Sequence, residues 1–152
     1  MYTVKSFNDP VALQDYLNGV VLGAPLQPRT FGLDGLTFVI NVTGVGDVTT
    51  TFADIANEGL SPKAILDAVL ESASLEGVVA LRNYGYSNPK NPQLAISGDG
   101  NSISKDGTAN VILGFSSTDD TDVSEIATGN IVSMLINPLG PLYVVVLNNS
   151  GK

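Results

Sequence analysis

Apolar residues recur along this chain with two periods, and each change of period marks an element. Ala12, Leu13, Tyr16 and Leu17 lie at i, i+1, i+4 and i+5, the spacing of one helical face. Asn8-Asp9-Pro10 before them supplies an Asx cap and a proline at the first helical position, and Gly19 is the stop. Phe38, Ile40 and Val42 alternate with Thr37, Val39 and Asn41, the two-residue period of a strand, behind the turn formers Asp34-Gly35. Gly44-Val45-Gly46-Asp47 then turns the chain into Val48–Phe52. β-Branched residues dominate both arms, which predicts a hairpin. Ser61-Pro62 repeats the cap-and-proline start before Ile65, Leu66, Val69 and Leu70, with Lys63, Asp67 and Glu71 opposite. This is the clearest helix in the chain.

Residues 22–29 carry Pro25 and Pro28 and read as a loop. Beyond Gly77, Val78–Tyr84 and Gln93–Ser97 read as strands around the polar loop Ser87–Pro92. Ser97–Thr108 is polar and glycine-rich, Asn110–Phe115 fits a strand or one helical turn, and Asp119–Asp122 is an acidic loop. Ile131–Ile136 and Pro141–Leu147 are two late strands joined through Asn137-Pro138-Leu139-Gly140. Their nearly continuous apolar runs are those of strands buried on both faces, a central pair under helices. The other options are one face covered by a neighbouring chain, or the C-terminal strand as an edge that pairs between chains. A helix, a hairpin, a helix and then several strands predict an α+β fold with an antiparallel or mixed sheet.

Composition narrows the function. The 152 residues suit one domain, with no internal repeat and no dividing linker, and such a chain buries about 68–70% of its unfolded surface without a staple. Cysteine is absent, which removes disulfides, thiolate nucleophiles and zinc-thiolate or iron–sulfur sites. Histidine is absent as well, so no imidazole serves as base, ligand or switch near neutral pH. Seven Lys and Arg against fifteen Asp and Glu give a net charge of −8. The scattered cations make no basic footprint, so nucleic acid and anionic membrane are not expected partners. Only 14% of residues are charged, against about 25% in ordinary soluble domains, while 43% are apolar and mean hydropathy is +0.22. Apolar surface beyond one core tends to become interface. No segment has the apolar length of a bilayer span, and residues 1–10 lack the apolar core of a secretory signal.

Paired carboxylates are the remaining catalytic route, since glycosidases need no histidine. Asp99, Asp106, Asp119, Asp120 and Asp122 all lie in Gly/Ser/Thr-rich loops with no aromatic wall to raise a pKa, and there Asp is ordinarily a turn former. No catalytic residue, cofactor or metal is therefore expected. The oxygen-bearing candidates for calcium are Asp99, Asn101, Asp106, Asp119, Asp120 and Asp122, with Ser102, Ser104 and Thr121 beside them. Neither stretch matches the twelve-residue calcium loop. Gly44-Val45-Gly46 lacks the third glycine of a phosphate cradle and joins strands. Asn41-Val42-Thr43 and Asn148-Asn149-Ser150 match the glycosylation pattern without a secretory signal before them. The lysines sit beside Pro, Asp, Ser or a terminus, not in the buried setting that a Ser–Lys nucleophile pair requires.

Four stretches together resemble a known arrangement. They are Asp34–Val42 with Thr50–Ala53, Leu60–Val69, Val79–Arg82 and Gly107–Thr118, the last containing Leu113-Gly114-Phe115. The order is similar to a hairpin–helix–hairpin module ending in a Leu-Gly-Phe or Leu-Gly-Leu turn. That module occurs in structural proteins of tailed-bacteriophage virions and in some flagellar filament-associated proteins. Residues 34–118 carry the resemblance, with 1–33 as an N-terminal helix and docking loop and 119–152 as an acidic loop and C-terminal strands. The Ser87–Pro92 loop and the last apolar strands depart from it. It implies a non-catalytic virion protein of the capsid-decoration (cement), neck or tail-accessory type, assembled in the host cytoplasm. The implied partners are copies of itself and other virion proteins such as the major capsid or tail protein. Ser87–Pro92, Ser97–Gly107 and Ser117–Glu125 would be docking surfaces. The alternative is a glycan- or calcium-binding adhesion module on a virion or cell surface, with Asn83, Tyr84 and Tyr86 as a sugar platform.

Overall fold

A proline in the first turn of a helix needs a cap behind it, and both longer helices have one. Asp9 is extended, and its Oδ1 accepts from Val11 N–H at 2.7 Å, opening α1 (Pro10–Leu17). Ser61 Oγ accepts from Ala64 N–H at 3.1 Å and opens α2 (Pro62–Glu71). Gly19, after α1, has φ +71 and lies so close to the Ser124 backbone that a Cβ would overlap it. The structure is a computed structural model that describes residues 2–72, 75–84, 91–136 and 143–148.

In chain order the strands are β1 (Tyr2–Phe7), β2 (Val21–Pro25), β3 (Thr37–Val42), β4 (Gly46–Thr51) and β5 (Val79–Arg82). They continue with β6 (Gln93–Ile96), β7 (Ser102–Ile103), β8 (Thr121–Asp122), β9 (Ile131–Ile136) and β10 (Tyr143–Asn148), and a one-turn helix α3 (Asn110–Leu113) precedes β8. They form three antiparallel sheets, ordered β1-β10-β9, β2-β6-β5 and β4-β3-β7-β8. The fold is α+β. The hairpin β3–β4, both longer helices, β5, β6 and the two late strands lie where the sequence pattern places them.

The structure corrects four readings. Residues 22–29 are not all loop, because Val21–Pro25 pairs with β6. Pro25 takes the last strand position, past a register shift, where its missing N–H breaks no interior ladder. Tyr2–Phe7 is a strand with no counterpart in the sequence reading. Short strands β7 and β8 run through the polar 97–108 and acidic 119–122 stretches, brought there by β3. Finally, β9 and β10 are not both central: β10 lies between β1 and β9, and β9 is an edge. Of the two options for 110–115, the helical turn forms. The connection 137–142 and most of the Ser87–Pro92 loop lie outside the described residues.

Two apolar clusters hold these layers. The larger gathers Leu33, Phe38, Ile40, Phe52, Ile65 and Leu94 among others, with the Phe38 and Phe115 ring centroids 5.2 Å apart. The smaller joins Leu13 and Leu17 of α1 to Ile126, Val145 and Leu147, with Phe7, Tyr16, Ile131 and Tyr143 around it. Gly114, at φ +85, ends α3 and lets Ala24 of β2 pass against the Leu113-Gly114-Phe115 turn.

Asn110 is fully buried and fixes that turn. Its Nδ2 donates to the carbonyls of Ser104 and Ser116, both at 2.8 Å, while its Oδ1 has no partner among the described residues. Asn110→Asp would turn a two-bond donor into an acceptor aimed at two carbonyl oxygens. Urea denaturation is expected to show a loss of about 3 kcal/mol or more.

Candidate functional site

Cross-strand partners share a sheet face, so register assigns each side chain of the β1-β10-β9 sheet. Phe7 pairs with Tyr143, and Leu147 with Ile131. With Val145 these lie on the face that α1 covers. Val4 pairs with Val146, which pairs with Ser133; Ser6 pairs with Val144, which pairs with Leu135; Tyr2 pairs with Asn148. These residues form the opposite face, where Tyr2, Val4 and Leu135 are 64%, 61% and 55% exposed. Met134, on the α1 side but out on the edge strand, is still 45% exposed, because α1 packs on β1 and β10. Lys5 is the one charged residue in the three strands, and its Nζ sits 5.9 Å from the Tyr16 ring centroid on the covered side. All fifteen acidic residues lie between positions 9 and 125, outside this sheet. On the outer face the described strand residues are Tyr2, Val4, Val144, Val146 and Leu135 with Ser6, Ser133 and Asn148, and none of them is charged.

A buried polar junction ties this sheet to the rest of the fold. Arg82 Nε and Tyr84 Oη each donate to Asp15 Oδ2 at 2.8 Å. Asp15 comes from α1, Arg82 ends β5, and the carboxylate is nearly out of solvent. The hydrogen bond to Asp15 raises the guanidinium pKa above its ordinary value. Burial first, and the Asp15 hydrogen bond second, push the Tyr84 phenol well up. Beside it lies a mostly apolar recess of about 290 Å³ between Phe7, Ala12, Tyr16, Val20, Leu22 and Tyr84. The Asp15 oxygens are taken by Arg82 and Tyr84, so this arrangement holds two layers together and offers no free base to a substrate. Tyr84 is half-buried, Asn83 is exposed, and Tyr86 lies outside the described residues.

The calcium candidates are dispersed among backbone hydrogen bonds. Asp99 Oδ1 accepts from Glu125 N–H at 2.8 Å, and Asp120 Oδ1 from Lys105 N–H at 2.8 Å. Asn101 is buried, with Oδ1 accepting from Thr43 N–H and Nδ2 donating to the Ser97 carbonyl. Asp106 and Asp119 sit in turns where their backbone N–H groups donate to the hydroxyls of Ser104 and Ser116, and Asp122 pairs with Ser102 within the β7–β8 ladder. Among the described residues no three His, Cys, Asp or Glu side chains are grouped to hold a metal ion. Asp99 and Asp120 thus tie the Ser97–Gly107 and Ser117–Glu125 segments to each other through their carboxylates. Asn41 donates its amide to Asp47 across the hairpin, and Gly44 and Gly46, both at positive φ, shape its turn.

Sequence reading missed Tyr2 and Val4 on the outer face and the Asp15–Arg82–Tyr84 junction. The junction spans 67 and 69 positions, and no local period signals it.

Compared with models of known protein families, with curated proteins and with solved structures, the chain matches none.

Two outcomes test the junction. Arg82→Met leaves a buried carboxylate with Tyr84 alone and is expected to cost about 2–3 kcal/mol, discounted for the partial exposure of Arg82. The Asp15→Asn/Arg82→Met pair should cost less than the sum of the single changes in a urea double-mutant cycle. The second outcome concerns Tyr84. Its pKa is raised in the folded state, so its contribution is whole below about pH 10 and is lost as pH climbs from the unfolded value through the higher folded one. Urea midpoints measured from neutral to strongly alkaline pH should fall less steeply for Tyr84→Phe than for the unsubstituted chain.

Proposed function

We propose that this protein is a non-catalytic assembly protein, which docks in multiple copies through the outer face of its β1-β10-β9 sheet. The observation that carries the reading is the apolar, carboxylate-free surface of Tyr2, Val4, Leu135, Val144 and Val146 on a chain of net charge −8. Contiguous exposed apolar area on a soluble fold is the usual mark of an interaction site. Absence of histidine and cysteine, and acidic side chains engaged in turns and in the Arg82 junction, favour docking over chemistry.

A role in a tailed-phage virion, as a capsid-decoration, neck or tail-accessory protein, is the assembly setting proposed. It draws on the hairpin, helix and Leu113-Gly114-Phe115 turn that resemble the virion module, and on the low charge content. A face that excludes carboxylates suits permanent attachment to a shell or tail, where burial of apolar area stabilises the particle. This surface is proposed in place of the Ser97–Gly107 and Ser117–Glu125 loops, where Asp99 and Asp120 are bonded to backbone groups, and of Ser87–Pro92, most of which lies outside the described residues.

Val4→Glu/Val144→Glu places two carboxylates on the outer face while leaving both clusters of the core intact. Binding of an environment-sensitive apolar dye and light scattering across the micromolar range are the measurements. The unsubstituted chain should take up dye at this face, and the double variant should lose most of that signal with unchanged far-ultraviolet circular dichroism. An unsubstituted chain that takes up no dye and associates with nothing would overturn the reading.

A further inference from the structure

We infer that β9 is a self-pairing edge: two copies of this chain join antiparallel along Ile131–Ile136 about a twofold axis. The inference rests on the docking reading and names its first partner as a second copy.

Edge strands of soluble proteins are normally guarded by charge, proline or brevity. β9 has six residues, Ile131-Val132-Ser133-Met134-Leu135-Ile136, with no charge and no proline. Its one protective device is a bulge against Val146/Leu147, confined to the start of the strand. From Ser133 onward the strand is regular, and among the described residues no strand pairs with its outer side. Val132, Met134 and Leu135 are 54%, 45% and 55% exposed. The opposite edge, β1, carries Lys5, which would face its own copy in a self-pairing, so charge selects β9.

Electrostatics favours a copy of the same chain at this one place. Two molecules of charge −8 repel wherever their acids meet, yet every acid lies within residues 9–125. β9 itself carries no charge, so its own side chains bring no like charges together in such a pairing. Antiparallel pairing is also self-complementary: residue i meets j, and j meets i, as a twofold interface requires.

Area supplies the reason for pairing before docking. Six residues on three strands give a face of about 20 by 14 Å, roughly 300 Å². Stacking two such faces covers well under the about 1,200 Å² at which stable interfaces begin. Joining two copies at β9 yields a six-stranded sheet whose outer faces lie on one side, doubling the continuous apolar surface. A pairing of this size is weak, so association in the micromolar range is expected.

Side-by-side pairing and face-to-face stacking are separable by a disulfide. Paired strands lie about 4.8 Å apart and stacked sheets about 10 Å, whereas a disulfide needs Cα atoms within about 7 Å. Paired residues share a face, so the twofold axis passes through a residue, and Ser133→Cys, Met134→Cys and Leu135→Cys sample the three central positions. Since the chain has no cysteine, each variant holds a single thiol.

The expected result is concentration-dependent dimerisation by sedimentation velocity. One of the three variants should form an interchain disulfide rapidly under mild oxidation, and Ser6→Cys on β1 should form none. Leu135→Lys should weaken dimerisation by about tenfold or more with the circular dichroism unchanged. A chain that stays monomeric with none of the three cross-linking overturns the inference. So does a dimer that cross-links only through Ser6→Cys, or through none of these positions. If pairing fails while dye binding and its loss in Val4→Glu/Val144→Glu persist, the docking reading stands without it; if dye binding is absent too, both fall.

Discussion

An eight-residue helix can cover one face of a three-stranded sheet and no more. α1 is about 12 Å long, and the sheet it serves measures about 14 by 20 Å. Leu13 and Leu17 commit that short stripe to Val145 and Leu147, which become fully buried. Among the described residues the helix packed on this sheet is α1, on its first face, and it leaves Met134 on β9 45% exposed. The openness of the second face follows from this shortage of covering elements, with no need of local strain or a special motif. Tyr2, Val4, Val144, Val146 and Leu135 left there are side chains whose exposure to water is unfavourable, with Ser6, Ser133 and Asn148 among them.

The larger cluster shows the opposite condition. α2 caps its sheets with Ile65 and Val69 fully buried, and the hairpin adds Phe38 and Ile40 from beneath. Asn101 and Asn110, both buried, replace regular ladders in the glycine-rich stretch by bonding directly to backbone groups. Part of the polar, glycine-rich stretch is thereby held by side-chain bonds to backbone groups. The two clusters meet at Asp15, where a carboxylate taken out of water is tolerated because a guanidinium and a phenol both donate to it.

Much of the fold was legible because its signals are local. Asp9-Pro10 and Ser61-Pro62 announce helices through cap chemistry, and the Thr37–Val42 alternation announces a strand through its period. What was not legible depends on distant partners. Val21–Pro25 carries a proline that argues against a strand, yet tolerates it at the final position beside Gln93. Tyr2–Phe7 lacks a clean apolar alternation, and its partners in Tyr143–Asn148, far along the chain, make it a strand, through pairs such as Val4 with Val146. The Ile131–Ile136 run was read as covered on both sides, because continuous apolarity reports a strand's affinity for cover and cannot report whether cover exists. The outer face could not be found before β1 was known to border β10.

The pairing of Tyr2 with Asn148 joins the two most distant positions among the described residues. Closing so large a loop forfeits chain entropy that nearby pairings do not, so such contacts are slow to form. The hairpin and the α2 layer, built from neighbours in sequence, can settle earlier. The face shared by all three strands is therefore complete only when Tyr2–Phe7 is paired with Tyr143–Asn148, so loosening either of these segments would dismantle it.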